Sequence, residues 1–317
     1  MAEKRKGQNG SLGAKLRSFL PEPRLLAILV VCVTTITVVL VYFHLVLERT
    51  IVVDARTGAF EIELEAELAG KVFRNVWICE KPEDGAAQET VSQGPIGCPS
   101  LTHRLVGPEA KVAPTLPVGS ELEFTAQPGL LRIDVVSLPE RYRDTDVGRL
   151  EGGALALVGR EALEAFGTLA LSGTAKIGAL FSETDRVSTA SGSYQIRGYT
   201  PVGLISGEMR ELRSGKLLGG ARVRFVKDDD ETATAHIAVT LAEPDRSLMR
   251  VTAISGHATS NIAVRYYFTE EVIIRPSFFD ALILDPAVQL FAMIFGAIAG
   301  YGWLKRLSKG TRAGQDR

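Results

Sequence analysis

Two long apolar segments, one near each end, constrain what this chain can fold into. They cover residues 25–46 and 286–304, and neither contains Asp, Glu, Lys or Arg. A helix of about 20 apolar residues crosses the hydrocarbon core of a bilayer, which is about 30 Å thick. Charged residues inside such helices usually mark the path of an ion or a proton. The two segments therefore predict transmembrane helices that anchor the chain and do not form a transport path.

The tails outside these segments are rich in lysine and arginine. Residues 1–24 contain six basic side chains, which are Lys4, Arg5, Lys6, Lys15, Arg17 and Arg24. Residues 305–317 contain five, which are Lys305, Arg306, Lys309, Arg312 and Arg317. Short basic flanks stay on the cytoplasmic side of a membrane. The pattern predicts that both ends are cytoplasmic, that the lipid bilayer is one partner, and that the region between the segments is extracytoplasmic.

The central region is acidic, because the whole chain has a net charge of −1 and both tails are basic. Binding to nucleic acid requires a basic surface, so we expect no nucleic-acid partner. The first segment exceeds the roughly 7–15 apolar residues of a signal peptide and lacks a small-x-small cleavage site after it. We therefore expect it to be retained. The only glycosylation sequon, at Asn9, lies in a tail, which favours a bacterial inner (plasma) membrane with a periplasmic central region.

Two of the three cysteines lie in the central region. Cys79 and Cys98 have 18 residues between them, whereas Cys32 lies inside the first apolar segment. A pair of cysteines in an oxidising compartment most simply forms one disulfide bond. The alternative is a metal site, for which two thiols make a poor set of ligands. We predict a disulfide between Cys79 and Cys98.

The central region has the pattern of β-strands. From Phe60 to Leu68 every second residue is apolar and the residues between are glutamates, which places one apolar face against a core. Further strands are predicted at Val72–Ile78, Leu101–Val106, Glu121–Thr125, Leu130–Val136, Ala154–Val158, Thr168–Leu171, Ala175–Phe181, Ser193–Tyr199, Ala221–Val226, Thr234–Leu241, Leu248–Ile254 and Ile262–Ile274. Short strands at this spacing indicate a sandwich- or barrel-like, mainly β region. One short helix is predicted near Arg160–Phe166.

The central region divides at a polar stretch near residues 139–147. We predict one β subdomain over 50–138, which contains the disulfide, and a second over 150–275; a single larger domain is the alternative. Three Ser-Gly pairs, at Ser172, Ser191 and Ser206, are interpreted as hairpin turns.

No motif for catalysis or for a cofactor occurs in the chain. There is no Gly-x-Ser-x-Gly nucleophile elbow, no HExxH zinc motif and no glycine-rich phosphate loop. Three histidines, His103, His236 and His257, lie in the central region and are interpreted as solvent-facing. The acidic run 228–231 is interpreted as the tip of a hairpin rather than as a calcium site. We predict no catalytic, cofactor-binding or metal-binding residues.

The second apolar segment carries a helix-packing pattern. Ala292, Gly296 and Gly300 recur every four residues, and small residues on one face let another helix approach closely in lipid. That helix is either the first segment of the same chain or a helix of another subunit. Asp285 and Pro286 are residue types that suit the start of a helix.

These features predict a membrane protein with two transmembrane helices that flank a mainly β extracytoplasmic region. The leading functional hypothesis is a non-catalytic structural, assembly or scaffolding component of a cell-envelope membrane complex. Its partner would be a membrane or periplasmic protein, or a second copy of the chain. The alternatives are an extracytoplasmic ligand-binding or sensing protein and a membrane-anchored envelope enzyme that uses His103, His236 or His257.

Overall fold

The computed structural model describes most of the central region and little of the two ends. The described residues are 33, 35, 49–73, 75–82, 98, 102–109, 112–178, 189–200, 208–227, 229–243, 248–257, 260–267, 269–294, 296–297 and 300. Residues 1–47 and 48–317 form two compact units. In the first unit only Val33 and Thr35 are described, and both are helical. The predictions for both tails and for the rest of the segment 25–46 lie outside the described residues.

Fifteen strands and two short helices have defined bounds in the second unit. The strands are β1 (Arg49–Thr57), β2 (Ala59–Leu64), β3 (Val76–Glu80), β4 (Arg104–Val106), β5 (Glu121–Gln127), β6 (Leu130–Ser137), β7 (Ala154–Val158), β8 (Thr168–Ile177), β9 (Thr189–Tyr199), β10 (Met209–Leu217), β11 (Ala221–Val226), β12 (Thr234–Glu243), β13 (Leu248–Ser255), β14 (Asn261–Tyr266) and β15 (Val272–Ile274). The helices are α1 (Arg160–Phe166) and α2 (Phe278–Leu284), and 3₁₀ turns cover Gly70–Val72, Glu140–Tyr142 and Asp146–Leu150.

The prediction of a mainly β region is confirmed. The strands pair in antiparallel ladders within one sheet, whose main order is β10-β9-β1-β13-β12-β8-β2-β5-β6-β7-β3-β4. Strands β11, β14 and β15 branch from this path at β8. Strands from 50–138 and from 150–275 are thus interleaved: β1 lies between β9 and β13, and β2 lies between β5 and β8.

The sheet bends where β1 continues into β2. Only Gly58 separates the two strands, yet they pair with different neighbours. Strand β8 makes a second connection, because its first part pairs with β12 and its last part pairs with β2 and β11. The contact between β8 and β2 divides the strand order into two arms, one from β10 to β8 and one from β2 to β4. Buried side chains from both arms belong to one hydrophobic cluster. The sheet therefore folds around a single core.

The alternation that begins at Phe60 produces the expected inward and outward faces. Phe60, Ile62 and Leu64 are at most 2% exposed, whereas the glutamates between them face outward. Phe60 lies directly opposite Phe124 of β5, and their rings stack with centroids 4.4 Å apart. Such aromatic pairs stabilise a core beyond the area that they bury, by about 0.5–1.5 kcal/mol.

Two Ser-Gly pairs that we interpreted as turns lie inside strands, so that interpretation is wrong for them. Ser172 and Gly173 lie within β8, which is one strand where the sequence predicted two. Ser191 and its glycine lie within β9. A Cβ atom on Gly173 would lie 2.0 Å from the carbonyl oxygen of Glu63. The glycine is therefore required by the close approach of β2 to β8; the third pair, at Ser206, lies outside the described residues.

Two strands were not predicted. β1 follows directly on the first apolar segment, so its alternation is masked by its apolar neighbours. β10 has outward-facing polar residues along almost its whole length and buries only Leu217 well, so it lacks an apolar period. The predicted strand Val72–Ile78 is also shifted: a 3₁₀ turn ends at Val72, and β3 begins at Val76.

The predicted helix start at Asp285 is confirmed. A carboxylate oxygen of Asp285 accepts hydrogen bonds from the backbone N–H groups of Ala287 (2.9 Å) and Val288 (3.3 Å). The helix that follows, α3, is described over residues 286–294. Within the described part of the chain, no helix combines the length and the apolar character that a membrane crossing requires.

The predicted disulfide bond between Cys79 and Cys98 is confirmed. The two Cα atoms are 5.5 Å apart, and Cys79 lies in β3 with no exposed surface. The bond closes a loop between residues 19 positions apart. It joins Cys98 to β3, which lies between β7 and β4 near one end of the strand order.

Removal of this disulfide is expected to destabilise the protein. Replacing both Cys79 and Cys98 by serine should lower the free energy of unfolding by about 3 kcal/mol, because the unfolded chain is no longer constrained by the loop. Chemical denaturation of the full chain measures this difference. Cys32→Ser is the matched control and should leave the stability unchanged. Equal stability of the double variant and the oxidised parent would contradict the expectation.

Candidate binding surfaces

Ten neighbouring outward residues of β8, β12 and β13 form a surface that we call the neutral face, and the outward residues Lys176 of β8 and Arg250 of β13 lie at its border. It consists of Thr168, Ala170, Ser172, Thr174, Thr234, His236, Ala238, Thr240, Thr252 and Ile254. The strand register places these side chains in rows: Ser172, His236 and Ile254 lie side by side, and so do Ala170, Ala238 and Thr252. None of these residues is Asp, Glu, Lys or Arg, although all of them lie on the outward side of the sheet.

An open depression of about 410 Å³ lies in the neutral face. Its lining includes Ala66, just beyond β2, and His236, Ala238, Thr252 and Ile254 on β12 and β13. The depression exists because alanine, serine and threonine stand where larger side chains would fill the space. Its volume falls within the range of about 300–1,000 Å³ that is typical of sites for small molecules or for single large side chains.

The border of the neutral face towards β1 carries an ion pair. Arg250 donates two hydrogen bonds to the carboxylate of Asp54, at 2.9 and 2.7 Å. The hydrogen bond from Arg250 is the main reason that the pKa of Asp54 lies below its usual value. Arg56 of β1 lies opposite Arg250, so this edge has two basic side chains and one acidic side chain.

The outward side chains change from neutral to charged along β8, at the point where its pairing passes from β12 to β2 and β11. Glu61 of β2 accepts hydrogen bonds from Lys176 (3.0 Å) and Arg222 (3.2 Å). Arg224, two residues after Arg222 on β11, donates two hydrogen bonds to Glu271, at 2.7 and 2.6 Å. This pairing lowers the pKa of Glu271. The outward region around Glu61 and Glu271 thus consists of ion pairs, whereas the neutral face contains no Asp, Glu, Lys or Arg.

A second cluster lies beside the disulfide and is centred on a buried carboxylate. Glu80 is 2% exposed and accepts hydrogen bonds from Arg149 at 2.8 Å and Arg104 at 3.3 Å. Arg149 also donates from Nε to the backbone carbonyl of Lys81, at 3.0 Å. These contacts join β3, β4 and the 3₁₀ turn Asp146–Leu150. We call this group the Glu80 clamp, and its geometry is that of a structural ion pair.

His103 lies next to the Glu80 clamp. Its Nε2 atom is 3.1 Å from the carbonyl oxygen of Glu151, and its Nδ1 atom is 3.2 Å from the hydroxyl of Thr102. A neutral ring that carries its proton on Nε2 satisfies both contacts, donating to the carbonyl and accepting from the hydroxyl. Burial lowers the pKa of His103 and Lys81 lowers it further, although the hydrogen bond to Glu151 opposes this.

The three histidines that the sequence offered for chemistry lie on different elements. His103 precedes β4, His236 lies on β12 opposite Ser172, and His257 lies in the turn that follows β13. Among the described residues, no group of three or more His, Cys, Asp or Glu side chains is placed to hold a metal ion. The predictions that the chain has no catalytic residue and no cofactor site remain predictions.

The helix-packing residues of the second apolar segment are exposed. Ala292, Gly296 and Gly300 all lie on the surface. Around Gly296 and Gly300, a Cβ atom would meet nothing within 4 Å in the part of the chain that the structure describes. Whether this face packs against the first segment or against another subunit stays a prediction.

The neutral face was not predicted, although a signal for it was present in the sequence. Outward positions of β2 are glutamates, whereas the outward positions of β8 from Thr168 to Thr174 and of β12 from Thr234 to Thr240 are alanine, serine, threonine and one histidine. That contrast marks a face that differs from ordinary solvated sheet. It could be recognised only after the strand order showed that β8, β12 and β13 are neighbours.

Comparisons of the chain with protein-family models, with curated proteins and with solved structures found no match. The function is therefore inferred from the surfaces of the molecule itself.

The Glu80 clamp predicts unequal effects for its two arginines. Arg149→Ala should lower the free energy of unfolding by about 3–5 kcal/mol, because it removes the closer partner of a buried carboxylate. Arg104→Ala should lower it by less than about 1 kcal/mol, because the side chain of Arg104 is 44% exposed. Chemical denaturation of both variants tests this order. Equal losses would show that Arg149 has no special role.

The environment of His103 predicts a pH dependence of stability. Folding lowers the pKa of His103, so below the usual value of 6.5 the unfolded chain binds a proton more readily than the folded chain does. The contribution of His103 to stability should be fully present above pH 6.5 and should decrease as the pH falls towards the folded pKa.

Replacement of the imidazole tests this expectation. His103→Gln should flatten the decline of the unfolding free energy between pH 6.5 and the folded pKa, and His236→Gln controls for the loss of an exposed imidazole. An NMR titration of the His103 ring measures the folded pKa directly. A His103 pKa at or above 6.5 would refute the expectation.

Proposed function

We propose that this protein is a non-catalytic assembly or scaffolding component of a cell-envelope membrane complex. Two transmembrane helices, 25–46 and 286–304, would hold it in the inner membrane with both ends in the cytoplasm. Its β region would lie on the extracytoplasmic side and bind a membrane or periplasmic protein through the neutral face. The observation that carries this proposal is the neutral face itself.

The composition of the neutral face supports protein binding. The buried centres of protein–protein interfaces are depleted in charged residues, because each charge would have to lose its water. The neutral face has ten outward side chains without a formal charge, and Ile254 among them is 41% exposed. The depression beside Ala238 offers a place for one large side chain of the partner. Such a pocket is where the most important residues of interfaces typically insert.

Segregation of charge supports the choice of this face over others. The outward region around Glu61, Lys176 and Arg222 consists of ion pairs that are already formed within the chain. A partner that docked there would have to compete with those pairs or remove them from water. Docking on the neutral face would disturb fewer ion pairs: at its border Asp54 and Arg250 are paired with each other, and Glu63 accepts a hydrogen bond from Thr174 at 3.4 Å.

Membrane anchoring is supported by sequence and by local structure. Both apolar segments have a suitable length and basic outer flanks. At the start of the second segment, Asp285 caps α3, and the apolar side chains that follow are exposed rather than buried in the β region. These are Leu290, Phe291, Met293 and Ile294, which are 45–65% exposed. A helix with a capped start and exposed apolar side chains suits an apolar surrounding.

Ligand binding or sensing is the second candidate function, and the depression favours it. A cavity of about 410 Å³ could hold a small, mainly apolar molecule, with His236, Ser172 and Thr252 as polar contacts. Thermal unfolding of the full chain in the presence of small apolar compounds separates the two. Stabilisation by a compound at low concentration, together with an absence of protein partners, would favour the sensing function.

The main experiment places a large charged residue in the neutral face. Ala238→Arg should reduce copurification of the partner with the full chain, after mild detergent extraction, by about tenfold or more, because an unpaired charge would be buried at the interface. Ala190→Arg is the matched control, since Ala190 is an exposed strand residue of β9 outside the neutral face. It should leave the complex intact.

Photo-crosslinking identifies the partner independently. A photoreactive phenylalanine analogue at Thr252 should crosslink to one defined protein, and the same analogue at Thr145, which is exposed just before the 3₁₀ turn Asp146–Leu150, should not. The mass of the crosslinked product distinguishes a second copy of the chain from a different protein. A strictly monomeric particle, with no crosslink from Thr252, would refute the proposed function.

A further inference from the structure

Helix α2 is held firmly to the β region, although it is only seven residues long. Its start has a reciprocal cap: the backbone N–H of Asp280 donates to the hydroxyl of Ser277 (3.2 Å), and the backbone N–H of Ser277 donates to the carboxylate of Asp280 (2.8 Å). Ala281 is buried, and α2 packs next to β10. Arg213 of β10 donates to the carbonyl oxygen of Arg275, just before α2, at 3.3 Å.

The other side of α2 is apolar and faces outward. Phe279 is 67% exposed and Ile283 is 65% exposed. These residues are four positions apart, so they lie on the same side of the helix, and both lie roughly opposite Ala281. A helix that docks through a small residue and directs its large apolar residues away from the protein is unusual for a surface in contact with water.

A rigid corner connects α2 to α3. Asp285 is the only residue between the two helices and is fully buried. Its carboxylate caps the start of α3, and the side-chain amide of Gln289 donates to the carbonyl oxygen of Ile283 at 2.8 Å, which caps the end of α2. Exposed apolar side chains occur on both sides of this corner, at Phe279 and Ile283 of α2 and at Leu290 and Phe291 of α3.

We infer that α2 lies in the membrane interface, with Phe279 and Ile283 among the lipid headgroups and the first acyl carbons of the outer leaflet. This inference rests on the proposed placement of residues 286–304 across the bilayer. A helix of that length measures about 28 Å, close to the thickness of the hydrocarbon core. Pro286 would then lie at the boundary of the core, and α2, one residue earlier, at the level of the headgroups.

The lipid surface is the occupant that best matches these observations. Short apolar helix faces with aromatic residues bind at the boundary between headgroups and acyl chains. Exposed apolar side chains occur on α2 and at the start of α3, so both helices suit the same apolar surroundings. Because α2 is also fixed to β10, its contact with lipid would set the orientation of the β region above the membrane.

Tryptophan fluorescence in vesicles with brominated lipids tests this inference. Every variant is the full chain with Trp303→Phe, so Trp77 of β3 is a constant background. Each variant then contains one introduced tryptophan. The test variants are Phe279→Trp and Ile283→Trp. Phe291→Trp reports on the proposed span, and Val136→Trp, on β6 in the other arm of the sheet, is the exposed control. Phosphatidylcholine brominated near the carbonyl or near the chain end supplies the quencher.

The expected result is strong quenching of Phe279→Trp and Ile283→Trp by the shallow bromine, weak quenching by the deep bromine, and protection from aqueous iodide. Phe291→Trp should be quenched more by the deep bromine than the α2 variants are, and Val136→Trp should be accessible to iodide only. Unchanged circular dichroism and thermal unfolding of each variant establish that the fold is intact.

Three results would overturn the inference, and they have different consequences for the proposed function. If Phe291→Trp is quenched by lipid but the α2 variants are open to iodide, α2 lies in water and the membrane anchor stands. If the α2 variants are protected from both quenchers, a protein or a second copy covers α2. If no variant is quenched and the chain does not float with vesicles, the membrane placement fails together with the inference.

Discussion

The close contact between β2 and β8 is the constraint on which the rest of the structure depends. Gly173 allows the two backbones to approach, since a Cβ atom at this position would collide with the carbonyl of Glu63. On one side of this contact β2 leads to β5 and β6, and on the other β8 leads to β12 and β13. The stacked rings of Phe60 and Phe124 lie in the core beside it. One glycine thus permits two arms of sheet to share a single hydrophobic core.

The same junction separates two kinds of outward surface. Beyond Gly173, β8 contributes Lys176 to a set of ion pairs with Glu61 and Arg222. Before it, β8 contributes only Ser172, Ala170 and Thr168 to the neutral face. Because paired charges resist desolvation and small neutral residues do not, the two regions suit different tasks. In the proposed function the first region faces solvent, and the second is covered by a partner.

The two ends of the β region have complementary roles in the proposed function. β1 follows the first apolar segment directly, and α2 leads into the second through the corner at Asp285. A domain held at both ends has a restricted orientation, so the neutral face would be presented in a defined direction. The Glu80 clamp and the disulfide at Cys79 stiffen the arm that lies away from these connections along the strand order.

Local patterns in the sequence determined much of this protein: the alternation from Phe60 to Leu68, the helix Arg160–Phe166, the helix start at Asp285 and the Cys79–Cys98 pair. The alternation and the two helix features depend on residues that are neighbours in the chain, and the disulfide depends on which cysteines lie outside the apolar segments. All of them can therefore be predicted from the sequence. Only the tertiary structure decided that Ser172 and Gly173 lie inside a strand and that β8, β12 and β13 lie side by side. Both depend on pairing between residues far apart in the chain. The strands that lie beside a small outward residue decide its surroundings, and the local sequence does not specify those strands.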